Sequence, residues 1–199
     1  MGVMQKAPAK RIQTSTQILD VAEQLVQIRG FNAFSYADVA SELRITKAAL
    51  HYHFATKAEL GEALVTRYAA RFAEALGAVE MRFADAPTQL EAYVDLYLTV
   101  LREKRMCLCG MLAAEYPTLP AAMQDAVVRF FNDNETWLSD VLIRGREEGT
   151  LEFAGTPSET ARMIVSGLEG AMLVARPFED IGRFQAVADQ LLASLRRTS

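Results

Sequence analysis

Lys47, His51, Tyr52 and Lys57 all fall in one short stretch, Arg44 to Lys57 (RITKAALHYHFATK), and each can offer a hydrogen to an anionic partner. Lys47 and Lys57 both stand in the first turn of an expected helix, where the macrodipole disfavours a cation. An anion bound at that helix end reverses the penalty, and phosphate is the natural candidate. Ala48 and Ala49 leave the leading edge of the first of these helices almost bare. Such a helix can lie close to a surface while Lys, His and Tyr reach outward, the geometry of a recognition helix in a major groove. His51 and His53 are two apart and point to different sides of a helix, so a shared metal ion is disfavoured. On charge alone the same residues describe the solvated face of an ordinary three-helix bundle, with Phe54 in its core.

The elements around this stretch carry their own start and stop signals. Ile18, Val21, Ala22, Leu25, Val26 and Ile28 keep a helical spacing, which predicts an amphipathic helix from Thr16 to Arg29, stopped by Gly30. Ser35 is placed to cap a second helix from Tyr36 to Leu43, with Asp38 at its third position, where a carboxylate suits the positive end. The turn Arg44-Ile45 follows and Thr46 caps the short helix. Thr56 and Glu59 are spaced as a capping box for a helix opening at Lys57. Three capped helices and a tight turn are what a compact helix-turn-helix needs.

From Gly30 onward, GFNAFSYADVASELRITKAALHYHFATKAEL resembles the DNA-binding domain of the TetR/AcrR family of one-component transcriptional regulators. The specific features are Gly-Phe, then Ser-x-x-x-Val-Ala, then Leu-x-Tyr-His-Phe-x-x-Lys-x-x-Leu, and they cover about the first third of the chain. The resemblance implies a sequence-specific regulator, a repressor released from a palindromic operator by a small-molecule effector. It places Lys47, Ala48 and Tyr52 nearest the bases and Ser35, Thr46, His51 and Lys57 on phosphate, with Tyr36 beside them. One position departs from the family: a Tyr usually stands where this chain has His51, so the phosphate contact must come from an imidazole or from Tyr52.

Charge agrees with a DNA-binding head on an acidic body. Residues 1–71 hold nine Lys and Arg against six Asp and Glu, whereas the whole chain is −4, which leaves −7 on residues 72–199. The first residues, MGVMQKAPAKRIQTST, have no apolar core and read as a flexible arm with Lys6, Lys10 and Arg11 available to DNA, not as a secretory signal. No apolar run reaches the length of a membrane span. Two cysteines two residues apart do not make a disulfide framework, which fits a reducing cytoplasm.

The rest of the chain shows only helical periodicity, so the expected fold is all-α. The expected division is an arm and helix-turn-helix domain at 1–56 and a helical effector-binding and dimerisation domain at 57–199. Helices are predicted from Lys57 to about Ala84, Thr88 to Lys104 (after a break at Pro87), Met106 to Tyr116, Ala121 to Glu148, Pro157 to about Arg176 and Ile181 to Arg196. Tyr93, Tyr97, Met106, Cys107, Met111, Phe130, Phe131, Trp137 and Met172 are aromatic or soft and come from several helices. Individually they are ordinary core; together they suit an adaptable effector pocket, with Glu115 as a polar anchor. The last two helices carry apolar faces with Gly167 and Gly170, and a TetR-like chain pairs them into a four-helix bundle across a homodimer axis.

Two other chemistries are open to these residues. Cys107 and Cys109 start a short helix after Lys104 and Arg105, a setting that lowers a thiol pKa, so a thiol switch is an alternative to buried packing. Asn132, Asp133, Thr136 and Asp140 loosely resemble the metal-binding segment of all-α terpene cyclases, but the partner Asp-rich motif is missing and a solvated face is favoured. No nucleotide, zinc-protease or hydrolase motif is present, and neither enzymatic activity nor a cofactor or metal is expected.

Overall fold

The structure, a computed structural model, describes residues 7–196, with side chains from residue 14 onward. Nine α-helices follow one another among the described residues: α1 Ala7–Arg29, α2 Tyr36–Leu43, α3 Lys47–His53, α4 Lys57–Arg82, α5 Ala86–Arg102, α6 Leu108–Ala114, α7 Ala121–Glu147, α8 Pro157–Ala175 and α9 Ile181–Ala193. Short 3₁₀ turns follow α6 and α8, and the one extended pairing among these residues is an antiparallel bridge between Leu151 and Arg196. No helix described is long and apolar enough to cross a membrane.

Local chemistry sets most boundaries. Gly30 ends α1 with φ +91°, a left-handed conformation that glycine adopts without a Cβ clash. Thr46 Oγ1 accepts the Ala49 N–H at 3.1 Å and Thr56 Oγ1 accepts the Glu59 N–H at 3.1 Å, fixing the starts of α3 and α4. Arg44 takes the left-handed position, φ 53°, that turns α2 into α3. Thr156 and Glu159 cap α8, with Pro157 in the first turn, where its missing N–H costs nothing.

Two boundaries differ from the sequence expectation for the same reason. Helix α1 begins at Ala7, inside the stretch read as an arm, with Pro8 in its first turn. Lys6 lies outside the described residues, as do the side chains of Lys10 and Arg11. Pro87 likewise sits in the first turn of α5, which Asp85 caps by accepting the Thr88 N–H at 2.9 Å, so it opens that helix and does not break the chain.

Helices α1–α3 form a small head around Ile18, Ala22, Val26, Phe34, Val39 and Leu50, all buried. Helix α4, about 40 Å long, belongs to both head and body. Its Arg67 binds Asp20 and Glu23 of α1 at 2.8 and 3.0 Å, and Arg71 joins Glu23 at 2.5 Å. In the body, α7 packs on α4, α5 and α8, and α9 covers α5 and α8.

Candidate nucleic-acid interface and effector core

Helix α3 presents an almost uncovered outer face. Thr46, Lys47, Ala48, His51 and Tyr52 are all exposed, Tyr52 by 67 %. Leu50 on the opposite side is fully buried and fixes the helix against the head. Thr46 uses its oxygen as a cap acceptor and keeps its own O–H for a partner.

Three expected phosphate or base contacts are instead committed inside the protein. Lys57 Nζ donates to the carbonyls of Phe31 and Phe34, both at 2.6 Å, and lies 4.7 and 4.4 Å from their ring centroids. Burial lowers its pKa, so this ammonium holds the α1–α2 loop and is no free phosphate clamp. Ser35 donates both its N–H and its hydroxyl proton to Asp38 Oδ2 at 2.7 Å, leaving neither for a phosphate. Tyr36 donates to the Phe54 carbonyl at 2.9 Å, and burial pushes its hydroxyl up to about 12.

His51 is exposed but chemically constrained. Its Nδ1 lies 3.0 Å from the Ala55 carbonyl, which can only accept, so Nδ1 carries a hydrogen. The neutral ring therefore offers a lone pair at Nε2, and only the imidazolium can donate from Nε2 to a phosphate. Tyr36 lies against it at 4.7 Å between centroids.

In the body, part of the expected pocket set comes together. Tyr93 stacks on Trp137 at 5.7 Å and meets Tyr97 at 5.4 Å, and Phe130 meets Phe131 at 5.4 Å. Phe72, outside the expected pocket set, joins these groups, lying 6.1 Å from Tyr93, 6.2 Å from Tyr97 and 5.2 Å from Phe130. Tyr68, also outside that set, donates to Cys107 Sγ at 3.6 Å. Asn134 stands on the buried stripe of α7 between Phe130 and Leu138 and accepts the Tyr93 hydroxyl at 3.1 Å. Met172 is fully buried.

Other members of that set lie elsewhere. Glu115 is no pocket anchor: Oε2 accepts the Phe31 N–H at 2.6 Å and Oε1 the Asn32 N–H at 3.2 Å, so it latches the body to the head. Arg176 donates to Met111 Sδ at 3.3 Å and also to the Ile28 carbonyl of α1, placing Met111 at this junction. Met106 donates its N–H to Gln27 at 3.2 Å and lines an open cleft of about 290 Å³ with Leu101, Ala175, Arg176 and Ile181. Asn132, Asp133, Thr136 and Asp140 are all exposed, a solvated face of α7.

The thiols contradict the expectation drawn from the helix end. Cys107 and Cys109 are buried, and burial first, then the Glu169 carboxyl, push both thiols well above the ordinary cysteine range. Lys104 instead pairs with Glu179 at 3.6 Å, and Arg105 with Glu103. Desolvation here outweighs the dipole of a seven-residue helix.

Glu169 is the functional candidate that sequence reading missed, although its spacing from Val165 and Met172 puts it beside the buried stripe of α8. Its stem is partly open but Oε1 is buried without a hydrogen-bond partner, as is Trp137 Nε1. Burial pushes this carboxyl up from 4.5 to about 7, with Cys107 opposing the shift. The folded protein holds that proton more tightly than the unfolded chain. The associated stability is complete below about pH 4.5 and is lost as pH rises to about 7. The loss is about 3 kcal/mol. Glu169→Gln is expected to flatten the urea-denaturation stability between about pH 5 and pH 8; an unchanged slope would remove the assignment.

Comparison with known proteins decides the family. Residues 18–64 match the model for bacterial regulatory proteins of the tetR family, and residues 86–191 match the tetracyclin repressor-like C-terminal domain. The chain belongs to the TetR family. A TetR-family transcriptional regulator from Agrobacterium tumefaciens has 31 % identity and a TM-score of 0.91, with 94 % of this chain and all of that one covered. The HTH-type transcriptional repressor NemR of Escherichia coli K12 is 27 % identical over 191 residues, 91 % of this chain and 94 % of NemR. The crystal structure of the reduced form of E. coli NemR shares the fold at a TM-score of 0.79 and 22 % identity, covering 92 % and 97 % of the two chains. As a TetR-family protein this is a DNA-binding transcriptional regulator, with α2 and α3 as its helix-turn-helix.

Proposed function

We propose that this regulator is a homodimeric repressor that binds a palindromic operator through two copies of α3 and releases it when a small molecule enters the body. The division into a reading head at 1–56 and an effector and dimerisation body at 57–199 is part of this reading. The observation that carries it is the bare outer face of α3, where Lys47, Ala48, His51 and Tyr52 are exposed side by side while neighbouring donors are committed internally. Repression is the activity named for NemR.

Lys47 and Thr46 reach phosphate in this reading, Tyr52 and Ala48 approach base edges, and His51 stands at the phosphate edge. Selection of bound DNA from a random pool is expected to return a palindrome. On that site, Lys47→Ala should reduce the salt slope of binding by about one. Lys57→Ala should leave the slope alone, since its ammonium serves two carbonyls. Reversed results for the two lysines would overturn the assignment.

Replacing His51 by the usual family residue, His51→Tyr, should keep operator affinity, whereas His51→Ala should lower it by about tenfold. Equal affinity in all three proteins counts against the contact.

The thiol route is a second reading, favoured by one observation: Cys107 caps the start of α6, the short helix whose other end carries the Glu115 contact with the head loop. Because both thiols are buried with raised pKa, alkylation of the folded protein by a mild electrophile should be slower than that of free cysteine. Operator affinity before and after treatment, in wild type and Cys107→Ser, separates a switch from packing.

A further inference from the structure

A carboxyl group taken out of water needs a hydrogen-bond donor or a counter-charge, and Glu169 has neither at Oε1. Besides burial, the only group among the described residues acting on its titration is the Cys107 thiol; no ammonium, guanidinium or imidazolium of theirs does. The carboxyl is close enough to push up the hydroxyls of Tyr68, Tyr93 and Tyr97. The carboxyl lies against α6, its Oε2 2.1 Å from where a Cβ at Gly110 would fall, so a side chain at that position would have to displace it.

We propose that Glu169 anchors a binding site for an organic cation, an amine or quaternary ammonium whose apolar groups lie among the rings of Tyr68, Phe72, Tyr93, Tyr97 and Trp137. This rests on the reading of the body as effector-responsive and names the chemistry of the effector. An anion is repelled by the carboxylate, and a neutral ligand leaves the carboxyl to hold its proton in a low-dielectric core. A cation supplies the missing charge, and aromatic faces add attraction through their quadrupoles. Phe72 and Trp137 are only half-buried, so the cluster reaches solvent along that edge. A cation held there also presses on α6, which carries Cys107 at one end and the Glu115 latch at the other.

The test uses the full-length protein with phenyltrimethylammonium and its uncharged carbon isostere, tert-butylbenzene, by calorimetry. The cation should bind the wild type at least about tenfold more tightly than it binds Glu169→Gln, and the isostere should show no such preference. Because the cation favours the ionised carboxyl, binding near pH 6.5 should release a proton, read as a dependence of the heat on buffer ionisation enthalpy. Proton release is measured on the wild type alone and survives any folding defect of the variant. Equal binding of cation and isostere, unchanged affinity in Glu169→Gln, or the absence of both binding and proton release up to millimolar cation would each overturn the proposal. Operator release by neutral or anionic compounds, with none by cations, would refute the cation site and leave the effector reading standing. Failure of every charge class to affect operator binding would overturn the effector reading itself.

Discussion

Glutamate at both Leu173 and Val174 is expected to produce a folded monomer with more than a hundredfold weaker operator binding. These side chains are 57 % and 58 % exposed on the outer face of α8, where water gains nothing from them. Met163 on the same helix, Phe178 and Ile181 just beyond it and Val187 on α9 are also exposed, so the apolar surface runs along the last two helices. A two-fold axis would place this surface against its own copy, and four carboxylates would then lose water without partners. A penalty of several kcal/mol weakens the dimer by about a thousandfold or more. Leu168 and Leu191 are unsuitable for this test despite their place on the apolar stripes. Leu168 is fully buried within the protomer, and Leu191 packs against Gly167, its Cδ1 2.8 Å from where a Cβ there would sit. Charging either would damage the protomer along with the interface. Sedimentation velocity, thermal unfolding and a gel shift on the selected operator check the outcome. A dimer that persists, or a monomer that keeps wild-type affinity, excludes this face.

The contrast between Leu168 and Leu173 shows what periodicity can and cannot reveal. Apolar spacing identifies helices and their faces, but it does not say whether a face meets the same chain or another one. The head was the more legible part because its boundaries depend on neighbours in sequence: Thr46 caps through Ala49, and Thr56 through Glu59. Where the reading went astray, the partner was distant. Glu115 finds its donors more than 80 residues away, and Lys57 spends its ammonium on a loop more than 20 residues upstream. The cysteines failed for another reason. A helix end and two cations are visible locally, whereas the burial that raises both thiols exists only once α4, α6 and α8 have packed. Glu169 combined both difficulties, being a charged residue beside an apolar stripe whose surroundings come from other helices.

Glu115→Ala is expected to loosen the head without unfolding the body. The carboxylate accepts two backbone N–H groups of the α1–α2 loop, at 2.6 and 3.2 Å, and the Phe31 N–H is partly buried. Losing a charge-assisted acceptor there costs about 2 kcal/mol. The same loop is gripped from its carbonyl side by Lys57, whose charge is itself favoured by Glu115, so the two grips weaken together. Amide exchange at Phe31 and Asn32 should accelerate by about thirtyfold, while amides of α7 and α8 keep their protection. Operator affinity should fall because this loop sets the position of α2 and, through it, of α3. Glu115→Gln should recover part of both effects, since its amide oxygen can still accept one of the two N–H groups. Unchanged exchange at Phe31, or equal loss of protection across the body, would sink the latch. The location gives the result its significance. Helix α6 is only seven residues long, with Cys107 beside the buried Glu169 at its start and Glu115 on the head loop at its end. In the proposed effector reading, a molecule that displaces the first end would carry the second with it, which would make the shortest body helix the mechanical link between the body and DNA.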